Sequence, residues 1–264
     1  LQNPTRNNST TAMSGTYSAT VTVNGCTSVA ATTAVVVNQT PAPTITTNSP
    51  LCSGQTINLS TPAVAGATYA WSGPNGWTST LQNPTITNAA TSNSGTYSLV
   101  VTVNNCSNVA VTSNVIVYQT PSPTITVAST YCSGQTISFT TGAVAGATYA
   151  WSGPNSWTST LQNPTISPAA VINTGTYSLV VTSNGCSNVA VTANVVVNQT
   201  PSPTITVASP FCSGQTIAFT TGTIAGATYA WSGPNSWTST LQNPSISPAS
   251  VTNSGTYSLV VTAN

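Results

Sequence analysis

The chain repeats itself every 80 residues, and the register does not slip. Trp71, Trp151 and Trp231 keep this spacing. So do Trp77, Trp157 and Trp237, and so do Tyr97, Tyr177 and Tyr257, with Tyr17 one period earlier. The string Leu-Gln-Asn-Pro begins at Leu1, Leu81, Leu161 and Leu241. A fixed period sets the folding unit and is read before any other feature. This one is too long for a solenoid repeat and suits a small sandwich that folds alone. Residues 1–40 then read as the C-terminal half of a repeat, 41–120 and 121–200 as whole repeats, and 201–264 as a repeat lacking its last strand. The chain reads as a window cut from a longer repetitive protein.

Residues 93–103 are the best-defined stretch of each unit, recurring at 173–183 and 253–263 and more loosely at 12–23. After a Ser-Gly or Thr-Gly turn, Tyr97, Leu99, Val101 and Val103 alternate with Ser98, Val100 and Thr102. Period two with β-branched residues predicts a half-buried strand. A Tyr at the foot of such a strand fits the tyrosine corner of immunoglobulin-like sandwiches, which makes Tyr97, Tyr177 and Tyr257 core residues. In the third unit, strands are expected at 124–128, 136–140, Thr148–Ser152, 157–161, 165–167, Gly175–Ser183 and 189–197. Pro121-Ser122-Pro123 is a stiff linker, and Cys132-Ser133-Gly134-Gln135 a turn. The expected fold is all-β: tandem Ig-like, seven-stranded β-sandwich domains in a head-to-tail filament. Trp71, Trp151 and Trp231 fall on the third strand, where a Trp packs between the sheets. Trp77, Trp157 and Trp237 follow a Gly-Pro-Asn turn. They suit either a packing or inter-domain contact or an exposed platform for a sugar.

Composition removes most chemistry. There is no Asp, Glu, His or Lys, and Arg6 is the one charged side chain. General acid–base catalysis has no group titrating near neutrality except Cys and Tyr, and a Ser or Cys nucleophile has no side-chain base. Calcium needs carboxylates, and zinc needs ligands gathered in one place. One Arg is no footprint for nucleic acid, and Lys–Asn isopeptide cross-links are impossible. No apolar run is long enough to insert in a membrane as a helix. No enzyme activity, cofactor or metal is therefore expected. Thr, Ser, Asn and Gln hydrate the surface without charge, and the regular Trp, Tyr, Val and Ile positions oppose disorder.

Four motifs recur together: Cys-Ser-Gly-Gln-Thr-Ile, Tyr-Ala-Trp-Ser-Gly-Pro-Asn, Ser-Gly-Thr-Tyr-Ser-Leu-Val-Val-Thr, and Gly-Cys-Ser or Asn-Cys-Ser. With these the whole chain resembles the Ig-like and PKD-like tandem repeats of giant Bacteroidota surface proteins. That class includes SprB-type gliding adhesins and related adhesins exported by the type IX system. The chain departs from it in having no acidic residues. The resemblance implies an extracellular, outer-membrane-attached filament that carries a distal tip for adhesion or gliding motility. Its partners would be neighbouring repeats, other copies of the filament, or surface polysaccharide.

The six cysteines form two series, Cys26, Cys106, Cys186 and Cys52, Cys132, Cys212. Regular Cys in a charge-poor sandwich reads as an extracytoplasmic disulfide framework. Pairing within a unit would give Cys52–Cys106 and Cys132–Cys186. The strand reading opposes it: Cys52 precedes the second strand, whereas Cys106 lies nine residues past Tyr97, about 30 Å along a strand. Bridged Cα atoms lie within about 7 Å. A staple across a joint, Cys52–Cys186, is the alternative, with Cys132 pairing beyond the C-terminus.

Two functions fit. The first is a structural stalk. The second is a multivalent binding module contacting glycan or ice through Trp157-type residues or Thr-rich faces, with avidity from repetition. Exposure of Trp77, Trp157 and Trp237 separates them.

Overall fold

The structure, a computed structural model, describes residues 2–263. It is all-β: the regular elements among the described residues are short strands and three-residue 3-10 turns. The chain divides into two compact units. One holds the chain up to Pro121 together with Ser183–Ser187; the other holds Ser122–Thr182 and the chain from Asn188 onward.

In the first unit, the second repeat is built on the strand Gly95–Val103. Tyr97, Leu99 and Val101 are fully buried, while Ser98, Val100 and Thr102 on the other face are half-buried. Because side chains alternate, a one-residue slip would exchange these two sets, so the register is well specified. This strand pairs antiparallel with Thr68–Ser72 on one side and Val111–Val115 on the other. Thr78–Ser79 extends the sheet beyond Thr68–Ser72. A second sheet runs Thr85–Ile86, Ile57–Ser60, Thr46–Thr47. Ile57 and Leu59 from this sheet meet Trp71, Tyr97 and Leu99 from the other in one core. Counting breaks within a strand as one position, there are seven positions in two layers, the Ig-like arrangement. Ahead of it, Gly15–Ala19 pairs with Ala31–Val35, and every residue of both strands is exposed.

The second unit holds the third repeat, apart from its hairpin tip Ser183–Ser187, and the fourth. In the third, the sheet order is Thr130–Cys132, Val191–Asn198, Gly175–Ser183, Thr148–Ser152, Thr158–Ser159. Phe139 replaces Leu59 and builds an aromatic cluster: ring centroids lie 4.6 Å from Tyr177, 5.4 Å from Trp151 and 5.7 Å from Trp157. The fourth repeat repeats this cluster around Phe219, with Trp231, Trp237 and Tyr257. Its long strand, Ser258–Thr262, pairs with Thr228–Ser232.

The start of the third repeat departs from the sequence reading, whereas in the second Thr46–Thr47 pairs with Leu59 and Ser60. Where a first strand was expected at 124–128, only the bridge Thr126↔Thr140 forms. The strand lies further on, at Thr130–Cys132, and pairs in parallel with Val196–Asn198. Cys132 therefore ends a strand instead of opening a turn; the turn is Ser133-Gly134, with Gly134 at φ 91°. Three residues suffice there because the closing strand brackets them: Val196 N donates to Ser129 O, and Ser133 N donates to Asn198 O.

Candidate functional site

The candidate site is the cysteine framework, which holds the disulfide found among the described residues. Each tip cysteine follows a tight hairpin turn. At Asn104-Asn105 both residues adopt left-handed backbone (φ 46° and 61°), and at Asn184-Gly185 the values are 50° and 77°. These are the residues a two-residue type I′ turn demands. The turn delivers Cys106 opposite Val103. Asn108 braces the hairpin: its Oδ1 accepts from Val101 N at 2.6 Å, and its Nδ2 donates to Val109 O at 2.6 Å. Asn188 does the same for Val181 and Val189 in the third repeat. The base cysteines are held differently. Gln55 Oε1 accepts from Cys52 N at 2.9 Å, and Gln135 and Gln215 repeat the contact at Cys132 and Cys212. Asn108 and Gln55 were not singled out in the sequence, although their recurrence at the 80-residue period was a usable signal.

Cys52 and Cys186 form a disulfide, with Cα atoms 5.6 Å apart and a sequence separation of 134. Both belong to the first unit, which takes in the hairpin tip Ser183–Ser187. Cys186 is buried at 1 % exposure. The equivalent tip thiols are less covered, Cys106 being half-buried and Cys26 exposed; the base thiols Cys132 and Cys212 are exposed. The bond links a residue of the second repeat to one of the third. Within-repeat pairing, Cys52–Cys106 or Cys132–Cys186, is not what the structure contains.

The aromatic positions serve packing inside each repeat. Trp71, Trp151 and Trp231 are each 2 % exposed. Their indole N–H groups donate to the carbonyls of Leu81, Leu161 and Leu241 at 2.9 Å, so the buried donor is satisfied. Tyr97, Tyr177 and Tyr257 close the corner by donating to Asn93 O, Asn173 O and Asn253 O at 3.0, 2.8 and 2.8 Å. Burial raises all three tyrosines above their ordinary pKa. Trp77, Trp157 and Trp237 are half-buried. They meet those tyrosines edge-on, with centroids 5.4, 5.3 and 5.5 Å apart. None of the three stands free as a flat platform.

Residues 37–117 match the family model of a PKD-like domain. No curated protein matches the sequence. Among solved structures, immunoglobulin domains 1–5 of Sidekick-1 align at 15 % identity and a TM-score of 0.41, covering 97 % of this chain and 65 % of that one. Extracellular domains 3–5 of Drosophila OTK align at 12 % identity and a TM-score of 0.35, covering 80 % and 88 %. Three N-terminal domains of the bacteriophage RB49 Hoc capsid protein align at 16 % identity and a TM-score of 0.31, covering 77 % and 80 %. By its own strand pairing, buried Trp and tyrosine corners, the chain is a tandem array of Ig-like β-sandwich domains, one of which matches a PKD-like domain.

Proposed function

We propose that this chain is a length of structural shaft in an extracellular repeat protein of the adhesin kind, carrying a distal tip for adhesion or gliding. The observation that carries the reading is the Cys52–Cys186 bond, which ties a residue of the second repeat to one of the third. A disulfide of this kind belongs to an oxidising compartment, which favours an extracellular location. The half-buried, tyrosine-packed Trp77, Trp157 and Trp237 favour a shaft over a glycan-binding array. Attachment to an outer membrane and export by a type IX system belong to the same proposal and rest on the sequence resemblance alone.

Negative-stain electron microscopy of the oxidised protein tests the reading. A thread of beads roughly 35–45 Å apart, the length of these strands with their joints, supports it. Compact particles, or repeats that retain polysaccharide on a glycan array, contradict it.

A further inference from the structure

The outer face of the larger sheet is built alike in the second and third repeats. In the second, Ala70 lies opposite Val100 and Ser72 opposite Ser98. In the third, Ala150 lies opposite Val180 and Ser152 opposite Ser178. Both alanines are exposed and both valines half-buried. The aromatic side chains of these strands, such as Trp71 and Tyr97, alternate onto the core face. Each outer face is thus an apolar row flanked by hydroxyls, with no ring standing out of it.

The polar groups of this face are paired with one another across the strands. Ser72 and Ser98 share a hydrogen bond of 2.7 Å, as do Ser152 and Ser178. Thr102 and Ser107 share one of 2.8 Å, and Thr176 Oγ1 donates to Asn194 Oδ1 at 2.6 Å. A hydroxyl that keeps its partner loses less on being covered than one that must give up water. The face can therefore be covered by a surface that offers it no hydrogen bond. We propose that it packs, sheet on sheet, against the same face of a second copy of this chain, so that copies associate side by side.

Charge selects this occupant. A partner bearing Lys, Arg, Asp or Glu would bury those groups against a face that holds no counter-charge. A second copy brings no such cost, since Arg6 is the one charged side chain of the whole sequence. A sugar would find no aromatic ring to stack on. Small side chains let two such faces approach to roughly the 10 Å spacing of packed sheets. The outer side of the smaller sheet lacks the apolar row, its exposed residues being polar ones such as Asn58 and Ser138.

Area sets the strength. Three strands about 4.8 Å apart and five residues long cover roughly 250 Å². A stable complex buries roughly 800 Å² on each partner. One repeat alone therefore holds its counterpart weakly, and repetition of the face along the chain supplies the rest. With no charge in the contact, salt has nothing to screen.

The test is sedimentation equilibrium of the full 264-residue chain, with its free thiols capped by iodoacetamide, at concentrations up to about 1 mM, where weak contacts are populated. Average mass is expected to rise with concentration and not to fall back when sodium chloride is raised. A70K/A150K puts one cation in the centre of each face and should raise the Kd at least tenfold with unchanged circular dichroism. N58K/S138K adds the same charge at exposed positions of the smaller sheet and should leave the Kd within about twofold, since distant exposed charges interact little. If A70K/A150K loses its fold, T112K/T192K charges two exposed positions on the same face. A wild-type monomer throughout overturns the proposal. So does association that survives the face variants, that N58K/S138K weakens equally, or that salt dissolves. The inference is independent of the shaft reading: it concerns contact between copies, and loss of the Cys52–Cys186 bond would leave it standing.

Discussion

The ring of Tyr177 occupies the space into which any side chain at Gly153 would grow. A Cβ built there lies 2.5 Å from both Cδ1 and Cε1 of Tyr177 and 3.2 Å from Trp157 Cε3. The same relation holds between Gly73 and Tyr97 and between Gly233 and Tyr257. The φ at Gly153 is −161°, which any residue adopts, so the requirement is for space and not for backbone freedom. Each corner is thus a three-part fit of Gly, Tyr and Trp.

Gly153→Ala is expected to lower the stability of the third repeat by roughly 1–3 kcal/mol, the usual cost of overpacking. Urea unfolding followed by Trp fluorescence checks it. An unchanged midpoint would mean that the Tyr177 ring moves aside freely.

Phe139→Ala is expected to cost about 3–5 kcal/mol, since it removes a fully buried ring from contact with Tyr177, Trp151 and Trp157. Phe139→Leu should cost clearly less, because Leu59 fills the same slot in the second repeat at 1 % exposure. Equal losses for the two variants in thermal unfolding would contradict this account of the slot.

Tyr97 and Tyr177 are raised above the ordinary value of 10.0 by burial, which disfavours the phenolate. The unfolded chain therefore releases its phenolic protons first as pH rises. The stability these groups contribute is fully present below about pH 10 and is lost as pH climbs through the raised folded-state values. Spectrophotometric titration near 295 nm should show a late-titrating fraction that shrinks in Tyr177→Phe. A single unshifted step in the folded protein would refute it.

Removing the cross-link should be felt well beyond its two residues. Closing a loop of 134 residues corresponds to about 5 kcal/mol in the chain-entropy model, with 2–4 kcal/mol the common outcome. Cys186→Ser is expected to lower the melting temperature by several degrees, whereas Cys132→Ser, at an exposed thiol, should change stability by no more than about 0.5 kcal/mol. Calorimetry on the oxidised proteins distinguishes them.

The local features of the fold were legible in the sequence where a pattern repeats at short range. Gly175–Ser183 and Thr148–Ser152 have the same bounds in the structure as in the sequence reading, because alternation marks both and turns flank them. Thr130–Cys132 was not legible: its partner, Val196–Asn198, lies far along the chain, and its own three residues carry no pattern. Burial of Trp151 followed from its strand. The environment of Trp157 did not, since it depends on the approach of Tyr177 from another strand. The cysteine pairing lay between these cases. Strand length argued against Cys52–Cys106, but no local rule selects a partner 134 residues away.

The most direct test of the central claim, that a disulfide fastens one repeat to the next, is single-molecule extension of the oxidised chain from its two ends. With Cys52 bonded to Cys186, the segment between them, a sequence separation of 134, stays locked when the repeats unfold. A reductant added under load should then release one further step of roughly 440–480 Å, the extended length of that segment. Full extension without a reductant-dependent step, or the much shorter step that a Cys52–Cys106 bond would lock, would contradict the account.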